Sequence, residues 1–196
     1  MINWMKQGGW GLSVVCVFLF LAGCAGRPMT DAEKTMMVQV KDLAEFGITF
    51  VANEETESFK HTNWGQGESD FNYEYESPAD NDDISPLYLS STVEFFPSDR
   101  KAKSGHLLSV NALKAGMKIS GIKSVKAPEL YDWGDQVYAA FLEIEGEKIG
   151  NLIVVRKGER VYSFMISGVY FDQKEDLVDL LNPKLIKMAT YRKKKK

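Results

Sequence analysis

Apolar residues run almost unbroken from Gly11 to Phe20, a stretch too short to cross a bilayer as a helix. Thr30-Asp31-Ala32-Glu33 then has the spacing of a helix capping box, with a hydroxyl for the Glu33 amide and a carboxylate that reaches back. Met36, Met37, Val40, Leu43 and Ala44 recur at helical spacing behind it, so the pattern predicts a helix to about Glu45, ended by Gly47. From Ile48 the period shortens. Residues 48–51 read as a strand, 53–69 as a polar loop that holds Trp64, and 70–76 as a strand alternating aromatic with polar side chains. Residues 87–96 supply its antiparallel partner across an acidic connection.

Ser98 caps the next helical stretch, whose inward residues by spacing are Ala102, Leu107, Leu108, Ala112, Leu113 and Met117, with Gly105 weakening the pattern. A strand is expected over 118–125. The clearest alternation follows at 136–145, 149–156 and 160–167, divided by turns at Gly146 and Gly158, and it predicts a three-stranded meander. Asp172 caps a last helix in which Leu177, Leu181, Leu185 and Met188 share a face, with a kink allowed at Asn182-Pro183. These elements predict an α+β fold, an antiparallel sheet with helices packed on it, as a single globular domain over 47–191.

The apolar run ends in Leu21-Ala22-Gly23-Cys24, which resembles the bacterial lipoprotein lipobox. The resemblance implies that residues 1–23 are a lipoprotein signal peptide and that Cys24 is the lipidation site, its thiol carrying diacylglycerol and its freed amine a further acyl chain such as palmitate. Residues 24–46 then form a tether and a short amphipathic helix. Ala25 stands where an Asp would mark retention in the inner membrane of enteric bacteria, so the expected location is the outer membrane, facing the periplasm.

Charge changes the picture little. With 24 basic and 27 acidic residues the net charge is −3, which gives no footprint for nucleic acid. Cys16 would leave with the signal peptide and Cys24 would be acylated, so no disulfide or thiolate metal site is expected. His61 and His106 have no second ligand at metal spacing. Gly65-Gln66-Gly67 lacks the third glycine and the following helix of a dinucleotide turn. Asp80, Asn81, Asp82 and Asp83 lack the glycine and terminal glutamate of a calcium loop. Glu143, Glu145 and Glu147 read as a solvated strand end rather than paired catalytic acids. The expectation is a protein that is not an enzyme and takes no cofactor and no metal.

The order of hairpin, helix opening at Pro97-Ser98, and meander holding Gly134-Asp135, Gly150-Asn151, Arg156-Lys157-Gly158 and Val161-Tyr162 resembles the PsbP-like (Mog/PsbP) α/β sandwich of bacterial lipoproteins. Relatives of that fold are docking proteins, so the resemblance implies a lipid-anchored docking or assembly module with an envelope protein partner. Tyr131, Trp133 and Asp135 set two aromatics beside an acid just ahead of a strand and are candidates for partner contact. Arg192, Lys193, Lys194, Lys195 and Lys196 form a basic tail able to lie on anionic headgroups. The alternative is a small-ligand or lipid-binding lipoprotein, with a pocket between sheet and last helix lined by Phe141, Tyr162, Phe164 and Leu181. A third reading, an enzyme, would need a titratable cluster gathered around His106 or Asp135.

Overall fold

The clearest alternation in the sequence lies in the middle of an antiparallel sheet. The structure, a computed structural model, describes residues 2–4, 24–25, 27–50, 52–53, 55–77 and 86–192. The lipobox residues Leu21, Ala22 and Gly23, the acidic stretch 80–83, and Lys193, Lys194, Lys195 and Lys196 lie outside the described residues.

In chain order the strands and helices are β1 (Ile2–Trp4), β2 (Cys24–Ala25), α1 (Asp31–Lys34), β3 (Glu57–Gly65), β4 (Glu68–Glu76), β5 (Tyr88–Phe95), α2 (Asp99–Ile119), β6 (Lys123–Lys126), β7 (Gln136–Ile144), β8 (Glu147–Lys157), β9 (Arg160–Ser167), β10 (Val169–Phe171) and α3 (Lys174–Thr190). The main sheet runs β2-β3-β4-β5-β9-β8-β7-β6, and β1 pairs with β10. The expected meander is β7-β8-β9, and β4 pairs with β5 from Ser69↔Phe95 to Glu76↔Tyr88. The fold is α+β, as the alternation predicts.

Two cores form because both faces of the sheet carry apolar residues. On one face Phe71, Tyr73, Tyr75, Leu89, Tyr162, Phe164 and Ile166 meet Met36, Met37, Val40 and Leu43 and the Leu177, Leu181, Leu185 stripe of α3. On the other, Leu152, Val154, Val161 and Met165 meet Ala102, Val110 and Met117 of α2. The buried Asn151 side chain works as a backbone surrogate, exchanging bonds of 3.0 and 2.7 Å with the Phe171 carbonyl and amide, and so joins β10 to β8.

Several expectations are corrected. The capping box at Thr30 and Glu33 forms, but its helix stops at Lys34, and 40–46 is a 3-10 segment. The reason is tertiary: the Val38 amide donates to Ser91 Oγ and Tyr162 OH, and the Val40 amide to Tyr73 OH, so those amides are taken by the sheet instead of a helix. Residues 48–50 form no strand. The loop expected over 53–69 is largely β3, a strand with a mostly exposed polar face, turned at Gln66-Gly67 with φ of 51° and 87°, as a tight hairpin requires. Leu107 and Leu108 do not point inward. They are 61% and 68% exposed, whereas Gly105, His106 and Val110 face the sheet. The strand expected over 118–125 is shortened to β6 because α2 continues to Ile119. Gln173, not Asp172, caps α3, and Pro183 stays inside it.

Close approach fixes Gly150, where a Cβ would lie 1.9 Å from the Ile166 carbonyl oxygen on β9. Gly116 on α2 has open space instead. Gly150→Ala is expected to cost about 3 kcal/mol or more, and Gly116→Ala to add up to about 1 kcal/mol. Urea unfolding followed by circular dichroism checks both, and a Gly150→Ala protein as stable as the wild type would contradict the packing described.

Candidate functional site

Two places on the molecule have functional chemistry. The first is built on Glu33, which is almost fully buried at the start of α1. Arg27 donates to both of its carboxylate oxygens, Tyr191 OH donates to Oε1 at 2.5 Å, and the Thr30 amide donates to Oε2 at 2.8 Å. Burial opposes ionisation, but these donors outweigh it and hold the carboxyl well below the usual glutamate range. Arg27 is three residues beyond Cys24, and Tyr191 directly precedes Arg192. One carboxylate therefore fixes the segment after the proposed lipidation site and the segment before the basic run. The Cys24 backbone itself pairs with Asn63 at the edge of β3.

The second place is a trough beside α2. This helix lies over β6, β8 and β9, and no described helix covers the β3-β4-β5 half of that face. Register puts Asp70, Asn72 and Glu74 of β4 on the same side as Ser90, Thr92 and Glu94 of β5 and Ser163 of β9. A cleft of about 180 Å³ opens where this floor meets Ala112 and Leu113 of α2. Within it Ser109 Oγ donates to Glu94 Oε2 at 2.7 Å, and Thr92 Oγ1 donates to Asn72 Oδ1 at 2.7 Å beside it. Burial pushes the Glu94 carboxyl up to about 7; the Ser109 bond opposes this and the nearby Asp70 adds to it. Exposed Leu107 and Leu108 stand on the outer side of α2. The trough offers hydroxyls, a carboxyl with a raised pKa and an apolar wall.

No family model, curated protein or solved structure matches the chain.

The residues singled out in the sequence fall elsewhere. Tyr131 is buried in the core and its hydroxyl donates to Asn182 of α3, so it is not a surface contact. Asp135 accepts from the Gly158 amide at 2.7 Å and from Lys157 at 3.0 Å, which makes it a brace for the β8–β9 turn. Trp133 is half-buried with the Lys157 ammonium 5.7 Å from its ring centre. The three therefore do not form one exposed patch, because Tyr131 has gone to α3 and Asp135 to a turn. Phe141, Tyr162, Phe164 and Leu181 belong to the core under α3, and the cleft at Glu94 is on the opposite face of the sheet. His106 is on the sheet-facing side of α2 with Nε2 donating to the Val154 carbonyl at 3.2 Å, and burial lowers its pKa. Among the described residues no group of three or more His, Cys, Asp or Glu side chains is placed to hold a metal ion. Glu94 and Ser109 carry no sequence signal, since β4, β5, β9 and α2 build the trough from segments with no shared motif.

Glu94 generates a pH dependence of definite sign. It ionises near 4.5 when exposed and near 7 in the fold, so across that window the folded state holds the extra proton. Stability therefore falls as pH rises from about 4.5 to about 7 and levels off above. Glu33 acts oppositely: its contribution is present above the unfolded value and is lost as pH falls below it. Thermal melts between these limits are expected to show a decline in Tm for the wild type that Glu94→Gln removes; an unchanged slope in that variant would contradict the assignment.

Proposed function

We propose that the chain is a lipid-anchored envelope lipoprotein of non-enzymatic type, a periplasm-facing docking or assembly module of PsbP-like architecture at the outer membrane. One observation carries the reading. Cys24 and Ala25 pair with Asn63 and Thr62 of β3 and Arg27 is held by Glu33, so the lipobox cysteine lies on the edge of the folded body itself. An acylated Cys24 would thus present the domain at the membrane surface with very little slack, as suits a protein that receives a partner there. Removal of residues 1–23 would also free the edge of β10 that Ile2–Trp4 covers. Helices on both faces of an antiparallel sheet support the PsbP-like comparison. Among the described residues no helix is long and apolar enough to cross a membrane.

The docking face in this reading is the outer side of α2, where Leu107 and Leu108 stand adjacent and exposed. The cleft at Glu94 favours a second reading, a small polar ligand bound among its hydroxyls. A photocrosslinking residue at Leu108 is expected to trap one discrete partner in cells, while the same residue at Ile186 on α3, 55% exposed, traps none. No adduct at Leu108, or the same adducts at both places, would count against docking on α2.

A further inference from the structure

The hydrogen bonds around the cleft beside α2 leave it with acceptors and few donors. In its floor Thr92 of β5 stands between Asn72 of β4 and Ser163 of β9, and Glu94 between Asp70 and Val161. Ser109 Oγ donates to Glu94 Oε2 and Thr92 Oγ1 to Asn72 Oδ1, each at 2.7 Å. Both hydroxyl protons are thereby committed within the protein, and the two oxygens keep lone pairs to accept with. Ser90 and Ser163, which also line the cleft, rotate to accept as readily as to donate. None of the described residues lining it is Lys, Arg, His, Asn, Gln or Trp.

The described charges on this half of the face point the same way. Glu94, Asp70 and Glu74 stand against one cation, Lys60 of β3, which is in register with Asn72 and so two strands from β5. The cations of α2 lie elsewhere: Lys101 pairs with Glu68, Lys114 leans over the Tyr138 ring of β7, and Lys103 shares the Lys114 flank by helical spacing. Arg100 and Lys118 fall on the outer side of the helix by the same spacing. Arg156 of β8 is held by Asp99 and Gln136.

We propose that this cleft binds a primary alkylammonium group, its nitrogen donating to the Glu94 carboxylate and to the Thr92 and Ser163 hydroxyls while its carbon stem lies on Leu113 and Met165. The proposal rests on the small-ligand reading of the cleft, for which it names the ligand class, and is independent of docking on α2. An ammonium carries three N–H donors and no acceptor, the complement of this lining. A carboxylate would instead meet Glu94 and Asp70. The cleft holds about 180 Å³, and since a cavity of about 150 Å³ takes a benzene, a stem of roughly four to six carbons fits. Burial pushes the Glu94 carboxyl up to about 7, and a cation against it favours the ionised form, so binding below that pH releases a proton. Of the residues facing Glu94, Asp70 of β4 is charged, while Val161 and Ser163 of β9 and Ser109 of α2 are neutral.

The test titrates the full-length protein, labelled with nitrogen-15, with n-butylamine, n-butanol and butyrate, following the amide signals of residues 90–94 and 109–113. Butylamine is expected to shift these signals saturably, and about tenfold or more tightly than butanol or butyrate. Glu94→Gln is expected to remove that preference. Ala112→Phe, a change at an exposed position on the rim, is expected to weaken butylamine binding with Tm unchanged. Nα-acetyl-lysine amide separates the two sources of such a group: binding as tight as butylamine's supports a protein lysine as the ligand, and much weaker binding supports a free amine. Butanol binding as tightly as butylamine, or a preference that survives Glu94→Gln, would overturn the ammonium site and leave the small-ligand reading standing. Absence of shifts at the cleft with all of these probes would overturn both.

Discussion

The buried carboxylate of Glu33 is the constraint on which the arrangement of this protein depends. An ionised group taken out of water is costly unless every oxygen is matched, and here Arg27, Thr30 and Tyr191 supply the donors. Satisfying one charge obliges three segments to meet: the stretch after Cys24, the start of α1 and the residue that follows α3. The consequence is positional. Cys24 and Tyr191 therefore lie at the same end of the sheet.

The sheet supplies the rigid body on which this meeting rests. With β9 central, α2 covers one part of one face while α3 and residues 36–48 cover the other face. The asymmetry matters for function. The face that α3 covers is packed with Tyr73, Tyr162, Phe164 and Leu181, whereas the α2 face is only partly roofed and opens onto Ser90, Thr92, Glu94 and Ser163. A carboxyl held near neutrality by burial, beside a hydroxyl donor, is the kind of group that responds to an arriving partner by changing its charge.

Much of this fold was legible in the sequence because alternation and turn glycines are local. The meander, the β4–β5 pair, the Ser98 cap and the apolar stripe of α3 all follow from patterns a few residues long. Failures came where distant groups compete with local ones. The capping box at Thr30 predicted a long helix, but hydroxyls of Tyr73, Ser91 and Tyr162 claim the amides of Val38 and Val40. Strand β3 was hidden because its outer face is Ser58, Lys60 and Thr62, a composition that reads as a loop. Leu107 and Leu108 looked inward by spacing, yet Gly105, against which the Phe96 ring packs, and His106 take the inward positions instead. Tyr131 and Asp135 looked like a contact surface and are instead bonded within the fold. The meeting of Trp64, Cys24 and Tyr191 at one end of the sheet could not be read from the sequence, since only strand register and packing bring them together.

The central claim is that Cys24 carries the lipid which sets this end of the domain on a membrane. Intact mass and membrane fractionation of the wild type and Cys24→Ala, expressed in a Gram-negative host, test it most directly. The account predicts a wild-type mass for a chain beginning at Cys24 with acyl groups added, and a variant that loses both the acyl mass and membrane association. An unacylated wild type, or a variant that remains in the membrane fraction to the same extent, would contradict it.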